Sequence, residues 1–224
     1  MQLNNFQRLP SQVLLSAVLG LVAALPGRIV AQTVAGQAYG AYASTPLGAV
    51  TQSPIAVLPP LAGTDGDMAA VQSGGMTVGG VLSTTFLHSI TSGALGTAET
   101  TAQSVATTGT TSILNGLITA QSVTAMAASH RTASGAVSSS TGSTFGDLVV
   151  AGSRLATGEG VVAPNTRIAL PGVGYVVLNE QIASGDGVTS SGLTVNMIHV
   201  YLQNPLGGAA GEIVVGSATS SVGS

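Results

Sequence analysis

Short stretches in which apolar and hydroxyl-bearing residues alternate recur along the chain, broken every ten residues or so by Gly, Ser or Pro. Alternation of period two marks strands with one buried face. In VGGVLSTTFLHSITSGALG it places Leu82, Phe86, His88 and Ile90 on one side of a strand. Asn115-Gly116 stands between Ile113-Leu114 and Leu117-Ile118, the signature of a hairpin closed by a type I′ turn. GSTFGDLVVAG (Gly142–Gly152) reads as one further short strand. RIALPGVGYVVLNEQ reads as a second hairpin, turning at Pro171-Gly172-Val173-Gly174. LTVNMIHVYL (Leu193–Leu202) is apolar on both faces in its middle, which predicts a central strand, and EIVVGSAT closes the fold. Ala-rich VTAMAAS favours helix by propensity, but its Ser, Thr and Val neighbours give no helical apolar stripe.

The expected fold is therefore all-β: a single antiparallel β-sandwich-like domain after an N-terminal signal peptide. A β-helix or solenoid is the alternative, ranked second because the similar segments lack a fixed period. Residues 1–31 read as the signal peptide. A polar start with Arg8 leads into VLLSAVLGLVAAL, which is too short to span a membrane and ends at the breaker Pro26-Gly27. Small residues permit cleavage after Ala31 or Ala35. Residues 32–72 form a Pro/Ala/Gly-rich segment whose prolines suit extended edge strands. Residues 73–224 are expected to carry the all-β domain, joined by part of 32–72.

Composition narrows the chemistry. Only 6% of the 224 residues are charged, 3% are aromatic, and there is no Cys or Trp. All five basic residues are Arg, and removal of residues 1–31 leaves three of them (Arg131, Arg154 and Arg167) against eight acids. No basic surface for nucleic acid or anionic lipid can be built from that set. The absence of Cys and Lys removes disulfides, thiolate metal sites and Schiff-base chemistry.

Three stretches of the second half, PNTRIALPGVGYVVLNEQ (Pro164–Gln181), LTVNMIHVYL (Leu193–Leu202) and GEIVVGSA (Gly211–Ala218), together resemble the choice-of-anchor P family of exported bacterial proteins. The resemblance extends over about residues 38–222 and is firmest in the last third. It implies an exported β module and brings no activity, cofactor or catalytic residue. The sequence runs to Ser224 without a sorting pentapeptide, an apolar tail or a basic tail, so the resemblance points to no means of attachment.

Individual polar residues suggest little dedicated chemistry. His88, His130 and His199 are the only histidines. His199 alternates with Leu193, Val195, Met197 and Tyr201, so a hydrogen-bonded histidine on an apolar strand face is expected rather than a zinc ligand. Asp65 and Asp67 in GTDGD are oxygen donors of the kind calcium takes, but their loop lacks further carboxylates and reads as a turn, as does Asp186. Glu180 is the acid of most interest. A glycosidase pair would need a second carboxylate about 5–10 Å away, from Glu159, Asp147 or Glu212. No G-x-S-x-G elbow is present. No catalytic, cofactor or metal residue is assigned, and no cofactor is expected.

The functional expectation is a secreted, non-catalytic module acting through cell-surface or extracellular-matrix contacts, including self-association through strand edges that no Lys guards. The partner would be a second copy or a surface or matrix polymer, not nucleic acid, and the processed chain would not span a membrane. A carboxylate-dependent hydrolase acting through Glu180 is the alternative, as is polysaccharide or ice binding by a flat Ser/Thr face. Sugar sites usually stack on aromatic rings, and past the leader the chain offers Phe86, Phe145 and four Tyr.

Overall fold

Strand-forming alternation dominates the chain, and no helix occurs among the residues described by the computed structural model: 32–45, 50–61 and 65–224. The expected leader and its first cleavage point therefore lie outside the described residues. The N-terminal strands are β1 (Thr33–Ser44), β2 (Val50–Gln52), β3 (Ile55–Val57), β4 (Gly66–Ser73) and β5 (Met76–Val78). Next come β6 (Leu82–Thr84), β7 (Leu87–Leu95), β8 (Glu99–Thr108), β9 (Thr111–Ile113), β10 (Ile118–Ala120) and β11 (Ser122–Thr132). Short strands follow: β12 (Gly135–Ser139), β13 (Thr144–Gly146), β14 (Val149–Val150), β15 (Ser153–Arg154) and β16 (Glu159–Gly160). The chain closes with β17 (Thr166–Leu170), β18 (Gly174–Gly185), β19 (Ser191–Gln203) and β20 (Ala209–Gly223).

These strands make a front sheet, β17-β18-β19-β20-β1-β2 with β3 also on β1, and a rear sheet, β16-β13-β11-β8-β7-β4 with β12 on β11. A third sheet, β15-β14-β10-β9-β6-β5, continues the rear one. Leu87 pairs Thr108 on one side of the break and Thr84 pairs Thr111 on the other, in unchanged register. Rear and third sheets are thus one layer folded along a crease through Thr85-Phe86, Gly109-Thr110 and Gln121. Among the described residues every ladder is antiparallel and no sheet closes into a barrel, and β1 and β20 lie over β7 and β8. The architecture is sandwich-like, and the antiparallel ladders exclude the solenoid alternative.

At the crease the inward set slips by one residue. Leu82 and Thr84 are buried before it, and Leu87, Ser89 and Thr91 after it. Phe86, His88 and Ile90 consequently face away from the core that Leu82 enters, which corrects the single face expected from alternation. The same break divides Gly142–Gly152 into β13 and β14 rather than one strand.

The front sheet has its own crease. Asn179, Met197, Gly216 and Gly40 form a row across four strands without Cα pairing, while the register on either side is unchanged. Asn179 and Gly216 take left-handed φ of 48° and 68° there. Met197 faces the core with Leu193 and Val195, whereas His199 and Tyr201 turn to the opposite face and join Asn196. The expected common face of residues 193 to 201 is therefore wrong beyond Met197, for the same physical reason as in β6–β7.

The turns follow the sequence closely. The Leu117 N–H donates to Leu114 O across Asn115 (φ 53°) and Gly116 (φ 87°), a type I′ geometry. The Val173 N–H donates to Leu170 O across Pro171-Gly172. β19 is central, between β18 and β20. Most of residues 32–72 belongs to the sandwich, since β1 pairs β20 from Thr33 to Ser44.

Candidate functional site

The front crease gathers polar side chains on the outer face of the front sheet. The hairpin turn at Pro171-Gly172 brings β17 against β18, and the β18–β19 register sets Tyr175 opposite Tyr201 and Glu180 opposite Asn196. The left-handed residue Asn179 rotates Glu180 out of the core. Its own Nδ2 donates to Val162 O at 2.8 Å, which fixes that conformation.

Glu180 then receives three donors. Tyr201 OH donates to Oε1 at 2.7 Å, and Asn196 Nδ2 donates to Oε2 at 2.8 Å. His199 Nδ1 lies 2.7 Å from the same Oε2, and its Nε2 lies 3.0 Å from Glu212 Oε2. A neutral imidazole carries one N–H and serves one of these carboxylates; the imidazolium serves both. Ser217 donates to Asn196 Oδ1 at 2.8 Å, extending the network to β20. The side chains of His199 and Glu180 are only 11% and 12% exposed, while Glu212 is 42% exposed.

Burial raises the Glu180 pKa, but the hydrogen bonds from Asn196, His199 and Tyr201 outweigh it and hold the carboxyl below its ordinary range. Tyr201 is pushed up by burial and by the Glu180 carboxylate it bonds. Burial also raises Tyr39, against a hydrogen bond with Ser217.

A stack runs beside this network. The Arg167 guanidinium sits 3.8 Å from the Tyr175 ring centroid, Tyr175 stacks on Tyr201 at 4.7 Å, and Tyr201 stacks on His199 at 3.9 Å. The ring faces are turned toward one another. The assembly is a clasp tying β17 to β20 through the Arg167–Tyr175–Tyr201–His199 stack and the Glu180–His199–Glu212 bonds.

Glu212 is the expected acid that joins Glu180, through the histidine. Asp147 instead pairs with Arg154 at 3.3 Å and accepts the Gly158 N–H, and Glu159 lies on β16. His88 lies 6.3 Å from Phe86 on the rear sheet, and His130 borders a groove with Thr101 and Gln103. Phe145 is fully buried in the core. Asp67 accepts its neighbour's N–H at Met68, and Asp186 closes its own loop by accepting the N–H groups of Val188, Thr189 and Ser190. Among the described residues no group of three or more His, Asp or Glu is arranged to hold a metal. Neither Tyr201 and Asn196 as partners of Glu180 nor Arg167 and Tyr175 as the stack beside it were legible in the sequence. The Pro171-Gly172 turn fixes only the β17–β18 register, and the stack depends on β19 as well.

No family model, curated protein or solved structure matches the chain.

Proposed function

We propose that the chain is an exported, non-catalytic β module that works by contact at the cell surface or in extracellular matrix, including contact with its own copies. The export signal of residues 1–31 and the resemblance to the choice-of-anchor P family belong to this reading. The observation that carries it is the engagement of both Glu180 oxygens within a network of the chain's own side chains. A general acid or nucleophile needs an oxygen free to meet substrate. Here Oε1 and Oε2 are both engaged, and the hydrogen bonds favour the ionised form. Two of the four tyrosines, Tyr175 and Tyr201, have ring faces taken up by Arg167, by each other and by His199, and Tyr39 and Tyr42 are half-buried on β1.

The test incubates the purified chain with soluble and insoluble cell-wall and matrix polysaccharides. Protein in the pellet and newly released reducing ends are measured together. The expected result is no release of reducing ends, with protein sedimenting on polymer or as self-assembled material. Release that disappears in Glu180→Gln would overturn the proposal in favour of a hydrolase.

A further inference from the structure

Strand edges decide which β proteins pair with their own copies, and this sandwich treats its edges unequally. At one end of the front sheet β17 has five residues, carries Arg167, and is flanked by Pro164 and Pro171. At the other end β2 and β3 have three residues each and are separated by Ser53-Pro54, with Pro59-Pro60 following. In the rear layer β15 and β16 have two residues each. β12 is covered, because the Ala136 N–H donates to Gly187 O and Ser138 bonds Ser191. Short length, proline, charge and cover are the devices that keep edges from pairing.

β4 is neither short nor broken by proline, and no strand covers its outer edge among the described residues. Its eight residues, GDMAAVQS, pair with β7 on one side and with no strand on the other among the described residues. It holds no proline and no basic residue, its one charge is Asp67 near the start, and Met68 is 56% exposed. We propose that β4 is the contact between copies of this chain: two β4 strands pair antiparallel about a two-fold axis and join two rear sheets into one. This rests on the contact function above and assigns its surface.

The sequence of β4 suits a two-fold pairing. An axis through Ala70 sets Ala70 against Ala70 of the second copy, Met68 against Gln72, and Asp67 against Ser73, so no like charges meet. The interaction is isologous and closes at two chains along that edge. Main-chain hydrogen bonds supply the affinity, as in other strand additions.

The chain has no cysteine, so single cysteines report contacts without background. Directly opposed Cβ atoms in an antiparallel pair lie about 4.5–5.5 Å apart, close enough for a disulfide after small adjustment. Ala70→Cys on β4 is compared with Ala169→Cys, also exposed, on the guarded edge β17. Mild oxidation is followed by non-reducing electrophoresis. Light scattering of the unmodified chain and of Ala70→Lys runs alongside, with circular dichroism confirming that each variant is folded.

The expected result is a disulfide-linked dimer from Ala70→Cys and not from Ala169→Cys. The unmodified chain gains mass with concentration, and Ala70→Lys associates several-fold more weakly because pairing would oppose two cations. Equal crosslinking at both sites, with association undiminished in Ala70→Lys, overturns the β4 contact and leaves the self-association reading standing. A one-chain mass at every concentration, without preferential crosslinking, overturns the β4 contact and removes self-association from the proposed function as well.

Discussion

The two halves of the sandwich are built from different materials. Above the creases, where β1 and β20 face the rear sheet, small residues meet: Gly36, Ala38, Ala218 and Ser220 against Thr91, Ser104, Ala106 and Ser129, with Leu193 and Val195 of β19 beside them. Facing Cα atoms of β1 and β20 come within 8 Å of those on β7 and β8, closer than the roughly 10 Å of ordinary face-to-face sheets. Hydroxyls there satisfy one another: Thr91 with Ser104 at 2.9 Å, and Ser129 with Ser220 at 2.7 Å. Below the creases the core is aliphatic, with Leu82, Ile113, Ile118 and Val150 from the third sheet and Leu178, Ile198, Val200 and Ile213 from the front sheet. A chain with few large side chains thus obtains a dense interior in two ways, by filling space in one half and by closing it in the other.

If the halves differ as described, they respond to opposite changes in volume. The largest effect is expected in the filled half. Ile113→Ala leaves a cavity at a fully buried position and should lower stability by about 2–5 kcal/mol, read from denaturant unfolding. In the closed half enlargement is the damaging change. A Cβ at Gly93 would lie 2.5 Å from Val34 Cγ1 and 2.7 Å from Leu58 Cδ2, so Gly93→Ala should destabilise by about 1–3 kcal/mol in the same measurement. A neutral outcome for Gly93→Ala would mean the sheets are free to separate there, and the comparison would fail.

Smaller effects sharpen the picture. Ser220→Ala removes one hydroxyl partner of Ser129, which keeps Ser138, so about 1 kcal/mol is expected. The mildest effect concerns acid. The folded-state pKa of Glu180 is below its ordinary 4.5, so its contribution is present above that value and is lost as pH falls through the lowered one. Melting temperatures recorded on acidification should fall more steeply for the native chain than for Glu180→Gln.

The strands, both tight turns and the central place of LTVNMIHVYL were legible because each depends on a few neighbouring residues. The face each strand half presents was not. Asn179, in the left-handed region, reads locally like any strand-end asparagine, and Met197 keeps the apolar run intact across the slip. Carrying the alternation through Met197 assigns His199 to the core face, and carrying it through Thr85 does the same to Phe86 and His88. Glu180 stood out as an acid beside a hairpin, and Glu212 was among its expected partners. Their joining through His199, and the stack from Arg167, required the registers of four strands together.

The account rests most heavily on Glu180 being a structural tie. A glutamine in its place has one acceptor oxygen for the three donors of Tyr201, Asn196 and His199, so at least one buried group loses its partner. Denaturant unfolding of Glu180→Gln at neutral pH should show a loss of about 1–3 kcal/mol against the native chain. An unchanged or raised midpoint would contradict the account, because it is carboxylates reserved for chemistry that proteins can replace without loss of stability.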